Sequence, residues 1–168
     1  VNPWVCPVCL LTTIGLSFLF LVVMQPLHNQ PVFMEYITSD NGWKRFLGMF
    51  VGVGIPEEVC KAFIVFVVVG WAGRMMPQTA VLYGIISGLG FGIYEGVKYQ
   101  REFHQSLGGD TAYFLNIFRV TTMPFFHGIL TGIAAYYIGF AKVFRHKRFG
   151  LWILAILVPA LLHGLYNT

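Results

Sequence analysis

The chain has 168 residues, of which 57% are hydrophobic and 11% charged, with a formal net charge of +4 and a mean hydropathy of +0.69. Soluble globular domains carry about a quarter charged residues, so the composition excludes a water-soluble fold, along with disordered, collagenous and disulfide-framework classes, and points to one domain built largely for lipid. The eleven Lys and Arg form no basic helix or stripe, which argues against nucleic acid, and they read as loop charges flanking membrane spans.

The first apolar stretch, Trp4 to Met24, is too long for the core of a signal peptide and has no small-residue cleavage site, so it reads as a membrane span. The chain begins at Val1 rather than Met, which leaves processing or trimming of either end open. Cys6 and Cys9 form a CxxC without the second pair of a zinc ribbon or the setting of a redox motif, and with Cys60 they are an odd set in or beside apolar segments, read as packing. Trp43 to Ile55 is apolar but short, which fits an interfacial or re-entrant helix. The second span runs from Pro56 to about Gly73, the third from Thr79 to Tyr99, the fourth from Pro124 to Phe144 and the fifth from Gly150 to Asn167. Pro56 suits a first helical turn, where its missing N–H costs nothing. Gln100 to Met123 reads as a polar connection with a turn at Gly108-Gly109-Asp110, followed by a surface helix. The expected fold is therefore an all-α polytopic bundle of about five spans in one domain.

Lys142, Arg145, Lys147 and Arg148 crowd the short link between spans four and five and mark it as cytoplasmic, with Arg74 on the same side. That orientation puts the N-terminus inside and the C-terminus outside. Gly84, Gly88, Gly92 and Gly96 recur every four residues along span three, and Gly128 and Gly132 do so in span four. Small residues at this spacing let helix backbones approach closely, so span three is expected at the centre of the bundle.

Glu57, Glu58, Lys61, Glu95, His127 and His163 are ionisable residues inside the expected spans. A charge at the centre of a span costs roughly 2.5–3.5 kcal/mol, so six such groups need partners or a wet cavity. Successive spans alternate in direction, which brings all six to one leaflet, the outer one in this orientation. Residues four apart share a helix face. Glu57 with Lys61, Phe91 with Glu95 and Tyr99, His127 with Thr131, and His163 with Asn167 give four converging stripes. Such a set is able to activate water by general base catalysis and stabilise an oxyanion, or to bind a metal. No GxSxG or HExxH is present.

Four ordered motifs carry a resemblance to a known family. Glu57-Glu58-Val59-Cys60-Lys61 matches an EExxK, Phe91 to Glu95 an FxxxE followed by Tyr99, His127 lies beside glycine, and His163 to Asn167 matches an HxxxN. Together they resemble the PrsW family of intramembrane proteases, in the superfamily of the CAAX prenyl endopeptidases and the APH-1 scaffold subunit. Gly96 departs from the asparagine that the family often places after its second-motif glutamate.

The resemblance implies roles. Glu57 would be the general base, Glu95 a second water-activating residue, and His163 with Asn167 an oxyanion-stabilising pair. Glu58 would orient and Lys61 would be its counter-charge, with Phe91 and Tyr99 supporting and His127 the least constrained. No cofactor is needed for this glutamic route. PrsW proteins are also called metalloproteases, and zinc on Glu95, His127 and His163 is the alternative. The expected activity is regulated, site-1-type cleavage of a membrane-anchored protein, with an anti-sigma factor as the substrate type, in a bacterial or archaeal plasma membrane. A non-catalytic scaffold and a proton-coupled transporter are the readings from other classes.

Overall fold

A bilayer core offers no water to unpaired backbone groups, so an apolar chain without a closed barrel satisfies them within helices. The computed structural model describes residues 4–71, 75–106 and 109–168, and these are helical almost throughout, with no strand among them. In chain order they form α1 (Val5–His28), α2 (Pro31–Ile37), α3 (Gly42–Leu47), a π-helical stretch (Gly48–Gly54), α4 (Ile55–Trp71), α5 (Pro77–Ser106), α6 (Gly109–Val143), a single 3₁₀ turn (Arg145–Lys147) and α7 (Arg148–Asn167). Arg74 and Gly108, assigned above to links, lie outside the described residues, as does the expected end of span two.

Val5–Met24, Pro77–Gln100, Tyr113–Val143 and Arg145–Asn167 are long and apolar enough to cross a membrane. The remaining expected span is α4. At 17 residues it is about 25 Å long, just short of the others, and it carries two glutamates and a lysine in its first two turns. The expected interfacial helix is not a separate piece: α3 and the π stretch run straight into α4. The expected break before Pro124 is also absent, and α6 continues through that proline for 35 residues. Pro124 reads locally as a helix start because it lacks an N–H. In the fold its backbone is pressed against Gly92 of α5, and that packing holds the helix continuous.

Helices α5 and α6 form the central pair. A Cβ on Gly84, Gly88 or Gly92 would come within 2.4–2.6 Å, 2.1 Å or 2.5 Å of α6, in each case on or beside backbone around Thr131, His127 and Pro124. The four-residue glycine period is therefore a packing seam, and it fixes the height of His127 against α5. Helix α1 joins the outer side of α5, where Gly90 meets the Leu10 carbonyl and the buried Thr13 and Ser87 hydroxyls share a 2.8 Å hydrogen bond. An alanine-rich core of Ala62, Val65, Ala80, Ala134, Ala135 and Ala155 closes α4 to α7 toward the basic end. The ionisable residues fill the other half.

Candidate active site

The π stretch delivers the first two glutamates. Gly54 sits on the Ala160 carbonyl of α7, where a Cβ would approach to 2.8 Å, and Gly164 of α7 packs on Phe50. These contacts clamp the start of α4 against the end of α7, so Glu57 and Glu58 face His163 within the bundle. Wide π turns recur at functional sites because they re-aim the residues that follow. Glu57 is 4% exposed, Glu95 7%, and Glu58, Lys61, His127 and His163 at most 1%.

The six groups form one connected network. Lys61 Nζ donates to Glu58 Oε1 at 2.6 Å and contacts His127 Nδ1 at 2.8 Å, while standing 4.5 Å from the centre of the Phe91 ring. Glu58 Oε1 is also 3.0 Å from His163 Nδ1. Glu95 Oε2 is 2.5 Å from His127 Nε2. An ammonium only donates, so His127 accepts at Nδ1 and donates from Nε2 to Glu95. His163 donates from Nδ1 to Glu58, which directs its Nε2 toward Glu57. Each imidazole is thus oriented by a carboxylate from another helix.

Two carboxylate oxygens of the cluster, Glu58 Oε2 and Glu57 Oε2, are buried without a hydrogen-bond partner, and Glu57 is the one that faces His163 Nε2. Its Oε2 stands 3.7 Å from His163 Nε2 and 4.0 Å from Lys61 Nζ. A buried carboxylate oxygen left in this way loses its hydration without replacement. A separation of 3.7 Å is too long for a direct bond and suits a bridging water or a reacting group held between the two atoms. The Thr131 hydroxyl, one turn below His127, is likewise buried without a partner.

The sequence expectations fare unevenly in space. Glu57, Glu58, Lys61, Glu95, His127, His163 and Phe91 converge as four helix faces meeting at one level. Tyr99 lies further along α5 with its ring 4.1 Å from the Arg119 guanidinium of α6. Asn167 is the last residue of α7, half-buried one turn beyond His163. Phe126 was not anticipated. It stacks on Tyr166 at 4.0 Å and stands edge-on to His163 at 5.8 Å, forming one wall of the site. Its position beside His127, and that of Tyr166 three residues after His163, were the available signals.

The metal expectation is altered in one ligand. Glu57, His127 and His163 each offer a ligand atom, and these lie within 4.8 Å of one another, whereas Glu95 sits behind His127 as its orienting carboxylate. A carboxylate with two imidazoles is a zinc donor set of catalytic type, and carboxylates behind both histidines are the usual support for such ligands. The residues therefore fit zinc, provided Lys61 yields His127 Nδ1.

Two comparisons with known proteins find a match. A family model described as PrsW family intramembrane metalloprotease matches residues 2–168. The chain is similar to "Protease PrsW" of Oceanobacillus iheyensis, with 30% identity over 139 residues, 81% of this chain and 61% of that protein. The chain thus spans less than two-thirds of that relative's length. No solved structure matches.

Proposed function

The chain belongs to the PrsW family of intramembrane proteases and is an integral membrane protein; we propose that it is an endopeptidase that hydrolyses a peptide bond in a membrane-anchored protein, with Glu57 as the base that activates water. The observation that carries this reading is the buried, unpartnered Glu57 Oε2 beside His163 Nε2. A water between these atoms would give a proton to Glu57 as its oxygen attacks the substrate carbonyl, and Glu57 would return that proton to the amine nitrogen as the peptide bond breaks. Glu58 and Lys61 hold His163 and His127 in place, Glu95 fixes the tautomer of His127, and a protonated His163 with Asn167 would donate to the developing oxyanion. The basic link between α6 and α7 favours a site toward the outer leaflet. Family resemblance favours regulated, site-1-type proteolysis of an anti-sigma-factor-like substrate in a bacterial or archaeal plasma membrane.

A second reading is supported by the three ligand atoms within 4.8 Å of one another. Glu57, His127 and His163 would then hold zinc, which when bound lowers the pKa of a coordinated water toward 7 and polarises the substrate carbonyl. In this reading His163 keeps Nε2 unprotonated, and Glu95 and Glu58 keep both rings oriented.

Glu57→Gln keeps the volume and removes the base. It is expected to lower cleavage of a model single-span substrate by roughly 10²–10⁴-fold while the protein remains folded and inserted. Activity within tenfold of the parent would remove Glu57 from this role. Elemental analysis of the active protein separates the two readings: stoichiometric zinc, with activity lost on chelation and restored on re-addition, would replace the metal-free route by the second.

A further inference from the structure

At the end of the bundle opposite the polar cluster, α4, α6 and α7 enclose a cavity of about 270 Å³. Its inner wall is apolar, formed by Phe66, Ile138 and Trp152, with Phe66 and Trp152 edge-to-face at 5.9 Å. Its rim carries Lys142, Arg145 and Arg148. Lys142 donates to the backbone carbonyl of Val69 near the C-terminal end of α4, and the Arg148 guanidinium stands 5.7 Å from the Trp152 ring. The start of α7 adds the positive end of its helix dipole.

No Asp or Glu of α4, α6 or α7 lies at this end of the bundle. The sequence has no Asp or Glu between Glu58 and Glu95 and none after Asp110, and Glu57, Glu58 and Asp110 lie at the far ends of α4 and α6. The apolar window of the last span begins at Arg145, so the rim stands at the level where the chain passes from hydrocarbon to headgroups. A ligand for this cavity must therefore be anionic at its mouth and apolar within. Inorganic phosphate meets only the first condition and a neutral lipid only the second.

We propose that this cavity is a binding site for an anionic glycerophospholipid, with the phosphate held by Arg145 and Arg148 and the first part of an acyl chain lying on Phe66, Ile138 and Trp152. Basic pockets between membrane helices bind anionic headgroups through the same combination. Lys142, engaged with α4, ties the rim to the helix that carries Glu57.

Native mass spectrometry of the full chain tests the proposal, with phosphatidylglycerol and phosphatidylcholine as probes. Phosphatidylglycerol should be retained in preference to phosphatidylcholine, and the double variant R145Q/R148Q should weaken its retention roughly 30-fold. Gly70 lines the cavity, and a Cβ there meets nothing within 4 Å. Gly70→Leu should therefore fill the space, keep every charge and reduce retention too, which preserves the test if the charge variant does not fold. Lys44→Gln, at an exposed pair with Glu35 remote in sequence, should change nothing. Equal retention of the two lipids, unaltered retention in R145Q/R148Q or Gly70→Leu, or displacement of phosphatidylglycerol by millimolar inorganic phosphate would overturn the proposal.

Discussion

The two ends of the bundle treat charge in opposite ways. At one end Glu57, Glu58, Lys61, Glu95, His127 and His163 turn inward and are all but sealed. At the other, Arg145, Lys147 and Arg148 are exposed around a 3₁₀ turn. A buried charge has to be answered by another group of the chain, and every residue of the polar cluster except Glu57 is bonded to a group on another helix. An exposed charge at the membrane surface is answered by water, salt or lipid. Substitutions should therefore be severe and interdependent at the first end and mild and separable at the second.

The largest effect is expected at Lys61. Its ammonium is bonded to both Glu58 and His127, and its side chain is fully buried. Lys61→Met keeps the length and removes the charge. Breaking a buried pair from one side costs about 3–5 kcal/mol, because the carboxylate left behind is neither hydrated nor paired. Chemical unfolding in micelles should register this loss, and proteolysis should disappear with it. An unchanged midpoint would mean that Glu58 is carried protonated and that the cluster is less interdependent than the contacts imply.

A smaller effect is expected where the scaffold meets the cluster. At Gly88 a Cβ would lie 2.1 Å from the His127 carbonyl oxygen and 2.7 Å from the Gly128 Cα, both backbone atoms of α6. Gly88→Ala must push the helices apart, at about 1–3 kcal/mol for overpacking, and it displaces the histidine that bridges Lys61 and Glu95. Gly15→Ala, where a Cβ meets nothing within 4 Å, is the matched control on α1 and should be neutral. Thermal midpoints for the pair, read beside their cleavage rates, check both statements. Equal behaviour of the two variants would break the link between the glycine seam and the site.

Much of this was legible in the sequence, for a physical reason. Ionisable residues are too costly in lipid to occur idly, so Glu57, Glu95, His127 and His163 stood out, and the alternation of spans put them at one level. The four-residue glycine period likewise announced the α5–α6 seam. Pairings inside the cluster were not legible. Glu57 and Glu95 are both carboxylates facing histidines, and the crossing of α5 on α6 at Gly88 decides that Glu95 takes His127 Nε2 while Glu57 is left for His163. Local signals also misplaced boundaries. Pro124 reads as a helix start until the packing against Gly92 is known, and the glycines of Gly48–Gly54 gave no 3.6-residue period to reveal a π stretch continuous with α4.

The smallest effect is expected at Lys147, and it sharpens the comparison from the other side. Lys147 ends the 3₁₀ turn, is exposed, and does not line the cavity that Arg145 and Arg148 border. An exposed ammonium is already hydrated, so its removal exposes no uncompensated partner. Surface substitutions of this kind stay within about 0.5 kcal/mol. Lys147→Gln should leave the unfolding midpoint and the cleavage rate at parent values, although Lys61→Met exchanges one lysine for a neutral side chain in the same way. The contrast isolates burial as the cause, since both variants lower the formal charge by one. If Lys147→Gln instead lost more than about 1 kcal/mol, the basic end would be pinned by interior contacts as the acidic end is, and the division between the two ends would fail.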